Sequence, residues 1–174
     1  SILTYSGKKK ENLKNIVMAT QNGVIKKTAL TAFANIRRGG IIEIKLDPSD
    51  SLQWVNFSSG ADDIVMITQN GKIISFPEIQ VRPTGRSSQG VRGIRLMGDA
   101  KVIGMDVVSR NEKEAKLLIV AENGLGKRTR TSEVRNQRRG GQGVRIANIN
   151  VKSGKIVFAG VLESGENEVI ITSE

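Results

Sequence analysis

The hydrophobic positions of this chain fall into short runs, and the most apolar of them recur at intervals of roughly 50 residues. Residues 16–20, 64–68 and 117–121 are three such runs, and an Asn-Gly pair follows each within two residues. This order predicts a β-strand and then a tight hairpin turn, with positive φ expected at both Asn and Gly. No segment keeps a 3.6-residue apolar period, so the pattern favours strands over helices.

The same succession of segments follows each Asn-Gly pair. A second β-rich run comes first, and then a polar stretch that ends in Gly40, Gly90 or Gly143. After the glycine come a short run with alternating apolar positions and a final apolar strand. Four short strands per unit of about 50 residues are typical of propeller blades rather than of a helical solenoid. We therefore predict an all-β fold, a β-propeller or β-pinwheel whose blades contain about four antiparallel strands.

These repeats divide the chain into units of one domain. Residues 15–62, 63–115 and 116–167 are predicted to form three blades. Residues 1–14 are expected to be the end of a preceding blade and a linker, and residues 168–174 the first strand of a further blade. Because three complete blades do not close a ring, we expect an incomplete ring.

Composition limits the chemistry that the chain supports. Its 174 residues include no cysteine and no histidine, which excludes the usual zinc sites and any catalysis that uses imidazole as the proton shuttle. No apolar run approaches the roughly 18 residues that a membrane helix needs, so we expect a cytosolic protein without membrane contact. Lys and Arg number 27 against 17 Asp and Glu, and this net charge of +10 suggests a polyanion partner.

The positive charge lies at the same place in every unit. Residues 24–46, 72–96 and 125–149, which run from each turn to the end of the following strand, contain 17 of the 27 basic residues and 3 of the 17 acidic ones. Equivalent positions in a propeller have similar radius and height, so a basic stripe is expected along one rim, where it would suit a DNA backbone. The predicted DNA contacts are Lys26, Lys27, Arg37, Arg38, Arg82, Arg86, Arg92, Arg95, Lys127, Arg128, Arg130, Arg135, Arg138, Arg139 and Arg145.

The sparse aromatic residues favour duplex DNA over single strands. They amount to 3% of the chain, whereas single-strand binders stack successive bases on aromatic side chains. Trp54 and the phenylalanines, Phe158 among them, are expected in the core.

Motifs that would signal catalysis are incomplete. The segment around Lys127 resembles a phosphate-binding loop, but Ala121 stands where the first glycine is needed and Arg128 where Ser or Thr is needed. Asp62 and Asp63 have no third carboxylate nearby in sequence, which predicts an exposed turn rather than a Mg²⁺ site. We therefore expect no catalytic residue, no metal site and no cofactor in this chain.

Several motifs together carry a family resemblance. NGVIKKT with NIRRGGI, VRPTGRSSQGVRGIRL with KVIGMDVV, and ENGLGKRTRTSEVRNQRRGGQGV resemble consecutive blades of the C-terminal domains of DNA gyrase A subunits. The resemblance extends from about Asn15 to the end of the chain. The C-terminal domain of the A-type subunit of topoisomerase IV, whose blades are more degenerate, is the second resemblance.

One stretch resembles the family's DNA-wrapping box, Gln-basic-Arg-Gly-Gly-basic-Gly. It departs from that pattern at Gln142, which stands at the second basic position, and it lies in the third repeat instead of the first blade. We interpret it as a box-like blade loop whose glycines let backbone N–H groups approach phosphates, with the true box upstream of Ser1. Alignment of this stretch with the first blade is the alternative. The box-like loop consists of Gln137, Arg138, Arg139, Gly140, Gly141, Gln142 and Gly143.

The resemblance implies a six-bladed β-pinwheel in which neighbouring blades exchange strands and duplex DNA wraps around a basic rim. It implies binding, bending and wrapping of DNA without sequence preference, in support of ATP-dependent negative supercoiling by a type IIA topoisomerase. ATP, Mg²⁺ and the catalytic residues would belong to other parts of that enzyme. The implied partners are duplex DNA, the remainder of gyrase A and the B subunit in a heterotetramer, in the bacterial cytoplasm and associated with the nucleoid.

Two functions of other classes compete with DNA wrapping. A propeller with a basic rim also suits a protein-interaction platform for acidic partners, which competition by unrelated duplex DNA would distinguish. An enzyme with a site in the central channel is disfavoured because the sequence lacks His, Cys and a carboxylate cluster.

Overall fold

The computed structural model describes residues 12–34 and 42–162. Over these residues the chain forms eleven β-strands and three short 3₁₀ turns, Leu30–Phe33, Glu78–Gln80 and Thr131–Glu133. Residues 1–11 and 163–174, where the predicted ends of neighbouring blades fall, lie outside them. The strands are β1 (Asn15–Thr20), β2 (Val24–Ala29), β3 (Leu52–Ser58), β4 (Asp63–Thr68), β5 (Lys72–Pro77), β6 (Val91–Arg92), β7 (Val102–Val108), β8 (Lys116–Ala121), β9 (Gly126–Arg130), β10 (Val144–Arg145) and β11 (Ile156–Leu162).

Three hairpins, β1–β2, β4–β5 and β8–β9, begin the three sequence repeats. Their turns differ from the expected geometry in one respect. Gly23, Gly71 and Gly124 have φ of +84°, +74° and +78°, but no non-glycine residue in the described ranges has positive φ. In the first turn the Gly23 N–H donates to the Thr20 carbonyl at 3.1 Å. This is a three-residue hairpin loop, a type I turn followed by a left-handed glycine, so only the glycine needs positive φ.

Each four-stranded sheet combines strands of two successive repeats. The strand orders are β3-β1-β2-β6 and β10-β5-β4-β7, and the described part of the third sheet is β11-β8-β9. In the first sheet Val24 pairs with Arg92 and Ile25 with Val91, so the second repeat supplies the fourth strand of the first. In the second sheet β10 pairs with β5 in the same antiparallel way. The expected exchange of strands between neighbouring blades is therefore present at both junctions.

The apolar runs are continuous because the central strands are buried on both faces. Along β4, Ile64 and Met66 belong to the hydrophobic cluster between the first and second sheets. Val65 and Ile67, which point the opposite way, belong to the cluster between the second and third sheets. Successive residues of a strand point to opposite faces, so one uninterrupted run supplies both clusters. The core thus lies between the sheets, and each repeat depends on its neighbour to bury its apolar faces.

The inner edges of the sheets meet along β3, β7 and β11. The Asn56 side chain donates to Asp106 Oδ1 at 3.1 Å, and Asp106 Oδ2 accepts from the Val161 N–H at 2.7 Å. Trp54 of β3 packs against the first cluster. The prediction for Phe158 was wrong, because this residue is 48% exposed on a face of β11 that no other sheet of the described residues covers. With the inner strands meeting here, β6 and β10 form the outer rim.

Gly143 should be critical for the strand exchange at the second junction. A Cβ there would lie 2.5 Å from the Ile73 carbonyl oxygen, and its φ of +71° is unfavourable for other residues. We expect Gly143→Ala to lower the free energy of unfolding by more than the roughly 1–3 kcal/mol that a left-handed non-glycine residue costs. The midpoint of denaturant unfolding measures this.

Two other glycines separate the steric cost from the conformational one. Gly98 has a φ of +59° with nothing within 4 Å of its Cβ position, and Gly85 has no such neighbour and no positive φ. Gly98→Ala should show the conformational cost alone, and Gly85→Ala should change stability by no more than about 0.5 kcal/mol. If all three substitutions lower the free energy of unfolding equally, the close approach of Gly143 to the Ile73 carbonyl is contradicted.

Candidate nucleic-acid interface

The structure places the predicted DNA contacts in different surroundings. Most are exposed, but some are enclosed by protein groups, so sequence position alone does not decide which cations face solvent. Arg82, Arg92, Arg95, Lys127, Arg128, Arg130, Arg135, Arg138 and Arg145 are exposed, Arg86 and Arg139 are half-buried, Lys26 and Lys27 are buried, and Arg37 and Arg38 lie outside the described residues.

The exposed arginines lie on the outer strands and on the loops that lead into them. Arg92 and Arg145 belong to β6 and β10, the two-residue strands at the outer edges of their sheets. Two aligned loops precede these strands, residues 82–90 in the second repeat and 135–143 in the third, which we call the basic loops. An outer edge leaves long side chains in water, so these guanidinium groups are available to a ligand that approaches the rim.

Each basic loop packs against the preceding repeat. At the second junction it contacts the segment that follows β6, and at the first junction it contacts the residues that align with that segment. At the second junction the Gly140 N–H donates to the Gly93 carbonyl at 2.7 Å, and the Arg95 N–H donates to the Gly141 carbonyl at 2.8 Å. The Cγ and Cδ atoms of Arg92 lie 3.9 Å from the Cβ position of Gly140. The exposed Arg92 side chain of the second repeat therefore lies against the loop of the third repeat that carries the exposed Arg138.

The first junction shows the same arrangement. Here the Lys45 N–H donates to the Ser88 carbonyl at 3.1 Å, in the positions that align with Arg95 and Gly141. The basic residues therefore follow one rule from repeat to repeat: a loop of one unit lies against the outer segment of the unit before it. The basic loops are thereby held at equivalent places at the two junctions.

The glycines of the box-like loop have a different use from the expected one. Gly140 and Gly143 have φ of +80° and +71°, and the Gly140 N–H is already bonded to Gly93. The Gly141 N–H donates to the Arg138 carbonyl at 3.3 Å. These two N–H groups are bonded inside the protein, so neither of them is available to a phosphate in the described geometry. Of the glutamines, Gln142 is exposed and Gln137 is half-buried.

Lys26 and Lys27 do not lie on the outer surface, contrary to the sequence prediction. The Lys26 ammonium group contacts the Glu43 carbonyl and the Arg86 carbonyl, and lies 3.2 Å from the Glu43 carboxylate. Lys27 Nζ lies 2.9 Å from the Glu78 carbonyl and 3.2 Å from its carboxylate. A buried cation is stable only when it is paired and hydrogen-bonded, and both lysines meet that condition. We therefore do not count either lysine among the proposed DNA contacts.

Glu78 is the residue that sequence reasoning missed. Its side chain is fully buried, and besides Lys27 it accepts from Ser58 Oγ at 2.7 Å and from the Asp62 N–H at 3.0 Å. A partial signal was present in the sequence, because each basic window has a single acidic residue, and two of the three, Glu43 and Glu78, pair with a buried lysine while Glu133 is exposed. An isolated carboxylate among many cations is a reasonable candidate for a buried ion pair.

Lys127 and Arg128 occupy the positions of Lys26 and Lys27 in the third hairpin. They are exposed, because no strand in the described part of the chain pairs with the outer edge of β9. Since the aligned lysines are buried beneath the next repeat, these two cations are weaker candidates for DNA contact than the arginines of the basic loops and outer strands.

The acidic pair has structural partners. Asp62 Oδ2 accepts from the Ser59 N–H at 2.7 Å, and Asp63 is paired with Arg110 at 2.9 Å. Asp62 is buried, so the expected exposed turn is not observed there. In residues 12–34 and 42–162, no group of three or more His, Cys, Asp and Glu side chains is placed to hold a metal ion. The same ranges contain no helix long and apolar enough to cross a membrane.

The fold and the rim together define a class of protein: β-propeller domains whose sheets share strands and whose outer edge carries arginine. The chain belongs to the family described as DNA gyrase C-terminal domain, beta-propeller, whose sequence profile matches residues 14–59, 62–109 and 115–163. The resemblance seen in the sequence motifs and the predicted fold class are thereby confirmed.

Individual relatives agree with this assignment. The chain is 39% identical over 158 residues to the DNA gyrase A protein of Staphylococcus aureus strain MRSA252, covering 91% of this chain and 18% of that protein. It superposes on the C-terminal domain of a DNA topoisomerase IV with a TM-score of 0.80 at 22% identity, covering 91% of this chain and 49% of the other. A DNA gyrase A C-terminal domain gives a TM-score of 0.74 at 26% identity, covering 90% and 52%.

The chain therefore spans less than a fifth of the length of the curated relative and about half of each solved C-terminal domain. The topoisomerase IV structure, at 22% identity, shows a shared fold alone. Sequence identity favours the gyrase branch.

Removal of the Lys27 ammonium group should strongly destabilise the protein. Its side chain is 5% exposed and that of Glu78 is 0% exposed, so Lys27→Met would leave a buried carboxylate without its cation. Breaking one partner of such a pair costs about 3–5 kcal/mol of folding free energy, which equilibrium unfolding in urea would measure.

Arg110→Met is the matched control, because Arg110 is 49% exposed in its ion pair with Asp63. Exposed pairs contribute about 1 kcal/mol or less, so this variant should remain close to the parent protein. If Lys27→Met and Arg110→Met lower the free energy of unfolding by similar amounts, the distinction between the buried ion pair and the exposed one is wrong.

Proposed function

We propose that this chain binds and bends duplex DNA along its outer rim. The observation that carries the proposal is the packing of each basic loop on the preceding repeat, which at the second junction places the Arg92 side chain beside Gly140, in the loop that carries Arg138. Guanidinium groups present forked donors that match phosphate oxygens, and an ordered row of them fits a polyanion of regular charge spacing.

The proposed contacts are to the DNA backbone and not to the bases. The rim contains no helix in the described residues that could enter the major groove, and its cations are repeated from blade to blade. Phosphate contacts position the duplex without reading its sequence, so binding would be sequence-independent apart from a preference for easily bent DNA. A duplex that follows the rim from repeat to repeat has to curve, which is the basis of the proposed bending and wrapping.

At the level of the whole enzyme, we propose that the chain serves a DNA gyrase. The 39% identity to a gyrase A protein supports this assignment over topoisomerase IV, for which the likeness is one of fold. In that setting the wrapped DNA supports ATP-dependent negative supercoiling, while strand cleavage and the use of ATP and Mg²⁺ take place elsewhere in the enzyme. The partners would be the rest of gyrase A and the B subunit, in the bacterial cytoplasm at the nucleoid.

A mobility-shift titration with duplexes of unrelated sequence tests the binding proposal. We expect retardation of every duplex and full competition by unrelated duplex DNA. Binding of an acidic protein that unrelated DNA does not displace, with no retardation of DNA, would instead favour the interaction-platform function.

Neutralising four rim arginines should reduce the salt dependence of DNA binding. Each phosphate contact releases condensed counterions, so the logarithm of affinity falls with the logarithm of salt by about 0.9 per contact on duplex DNA. Changing Arg82, Arg92, Arg138 and Arg145 together to Ala should flatten that slope by roughly 3 to 4 units. Fluorescence-anisotropy titrations at several salt concentrations give the slope.

Four exposed lysines provide the charge-matched control. Lys113, Lys116, Lys152 and Lys155 lie outside the basic loops and outer strands, and their joint change to Ala removes the same charge. We expect a much smaller change in slope. If both quadruple variants alter the slope alike, the charge acts as a diffuse field and the organised rim is excluded.

Bending should be visible as faster closure of short DNA. A duplex near one persistence length, about 150 base pairs, resists cyclisation, and a protein that curves it lowers that elastic cost. We expect the chain to raise the rate at which ligase circularises such a duplex, and the four-arginine variant to lose this effect. Tight binding with an unchanged closure rate would show binding without bending.

A further inference from the structure

Arg86 and Arg139 occupy the same position in the two basic loops, and the structure gives them different surroundings. The alignment is fixed by the backbone: the Thr84 N–H donates to the Lys27 carbonyl at 2.9 Å, and the Gln137 N–H donates to the Ser75 carbonyl at 2.7 Å. Arg86 and Arg139 each lie two residues after these donors. Any difference between these arginines therefore comes from their partners and not from their place in the repeat.

Arg139 is bonded to the preceding repeat through its side chain and its backbone. Its Nε donates to the Gln80 carbonyl at 2.9 Å, its Nη1 donates to the Arg92 carbonyl, and its backbone N–H donates to Gln80 Oε1 at 2.8 Å. The guanidinium group spans the 3₁₀ turn and the outer strand of the second repeat. Its charge is thus used to hold the third repeat's basic loop against the second.

At the first junction a different residue makes the equivalent tie. The buried Lys26 ammonium group reaches the Arg86 carbonyl of the next repeat and the Glu43 carbonyl of its own. The Arg86 side chain makes no hydrogen bond or ion pair with the residues that the structure describes. In the second repeat the position of Lys26 is taken by Ile74, which has no donor to offer.

We propose that Lys26 and Arg139 are positioning residues that hold the basic loops against the preceding repeats, and that Arg86, whose guanidinium group has no bonded partner among the described residues, is a phosphate contact. The residue on the second strand of the hairpin decides the outcome. Where it is a lysine, as at Lys26, its ammonium group bonds the backbone of the loop, and the arginine of the loop is not needed for this contact. Where it is an isoleucine, as at Ile74, the arginine of the loop bonds the preceding repeat instead, as Arg139 does. This inference rests on the proposed DNA binding and assigns roles within it.

Single substitutions separate the two roles. Arg86→Ala should lower the salt slope of duplex binding by about 0.9 and leave the melting temperature nearly unchanged. Arg139→Ala should lower the melting temperature by several degrees and change the salt slope by clearly less than Arg86→Ala does, because it loosens the loop without removing a phosphate contact. If Arg139→Ala lowers the slope as much as Arg86→Ala does, the division of roles is wrong.

Charge-conserving variants provide an independent readout. A phosphate contact tolerates lysine as a point charge, so Arg86→Lys should keep the slope and most of the affinity. The Arg139 tie needs the planar fork to reach two carbonyl groups, so Arg139→Lys should lose most of the melting temperature that Arg139→Ala loses. Full restoration of stability by Arg139→Lys would contradict the tie.

A double-mutant cycle tests whether Lys26 acts through Arg86. Lys26→Met keeps the length of the side chain and removes its donors, so the loop that carries Arg86 loses its anchor. We expect Lys26→Met to weaken DNA binding, and the Lys26→Met/Arg86→Ala double variant to have the same salt slope as Arg86→Ala alone. A double variant whose slope falls by about 0.9 more would make Lys26 a phosphate contact in its own right.

The failure of this inference is distinguishable from that of the proposed function. If the variant with four rim arginines replaced binds DNA with the parent slope, DNA binding by the rim is excluded and the roles of Arg86 and Arg139 fall with it. If that variant behaves as expected while Arg86→Ala and Arg139→Ala change the salt slope and the melting temperature equally, only the division of roles is overturned.

Discussion

The short outer strands hold the whole arrangement together. Only two residues of the second repeat pair with β2, and two residues of the third pair with β5, yet these pairings complete both four-stranded sheets. A glycine whose Cβ would collide with the neighbouring strand immediately precedes each outer strand, at Gly90 and Gly143. Because a repeat cannot finish its own sheet, its position relative to its neighbour is fixed by hydrogen bonds and not by apolar packing alone.

That constraint also organises the charge. The segment that leads into an outer strand has to cross from one repeat to the next, and it is this segment that carries the arginines. Its path over the preceding repeat places the Arg92 side chain of one unit against the loop of the next unit that carries Arg138. A row of charge with a defined spacing is the kind of surface that a nucleic-acid backbone can follow, whereas scattered lysines of equal number produce only a general attraction.

The two junctions hold a basic loop against the preceding repeat with different residues. The first uses buried lysines, with Lys26 bonded to main-chain carbonyls and Lys27 paired with Glu78. The second places Ile74 and Ser75 at those positions, relies on the apolar cluster around Ile67 and Ile73, and ties its loop with Arg139. Buried ion pairs contribute little net stability, but they are costly to break, so they are well suited to fixing one register between two repeats.

The order of residues along the chain was enough to predict the repeats, the all-β class, the hairpin positions and the concentration of charge in each repeat. These are local properties, because apolar runs, glycines and charges are read directly along the chain. Which cations face water depends instead on the folded arrangement. Lys26, Lys27, Lys127 and Arg128 look alike in the sequence, yet two are enclosed by the following repeat and two are not. Burial depends on the residues that another repeat places over a side chain, through contacts between positions as far apart as Lys26 and Arg86, and local pattern contains no record of such contacts.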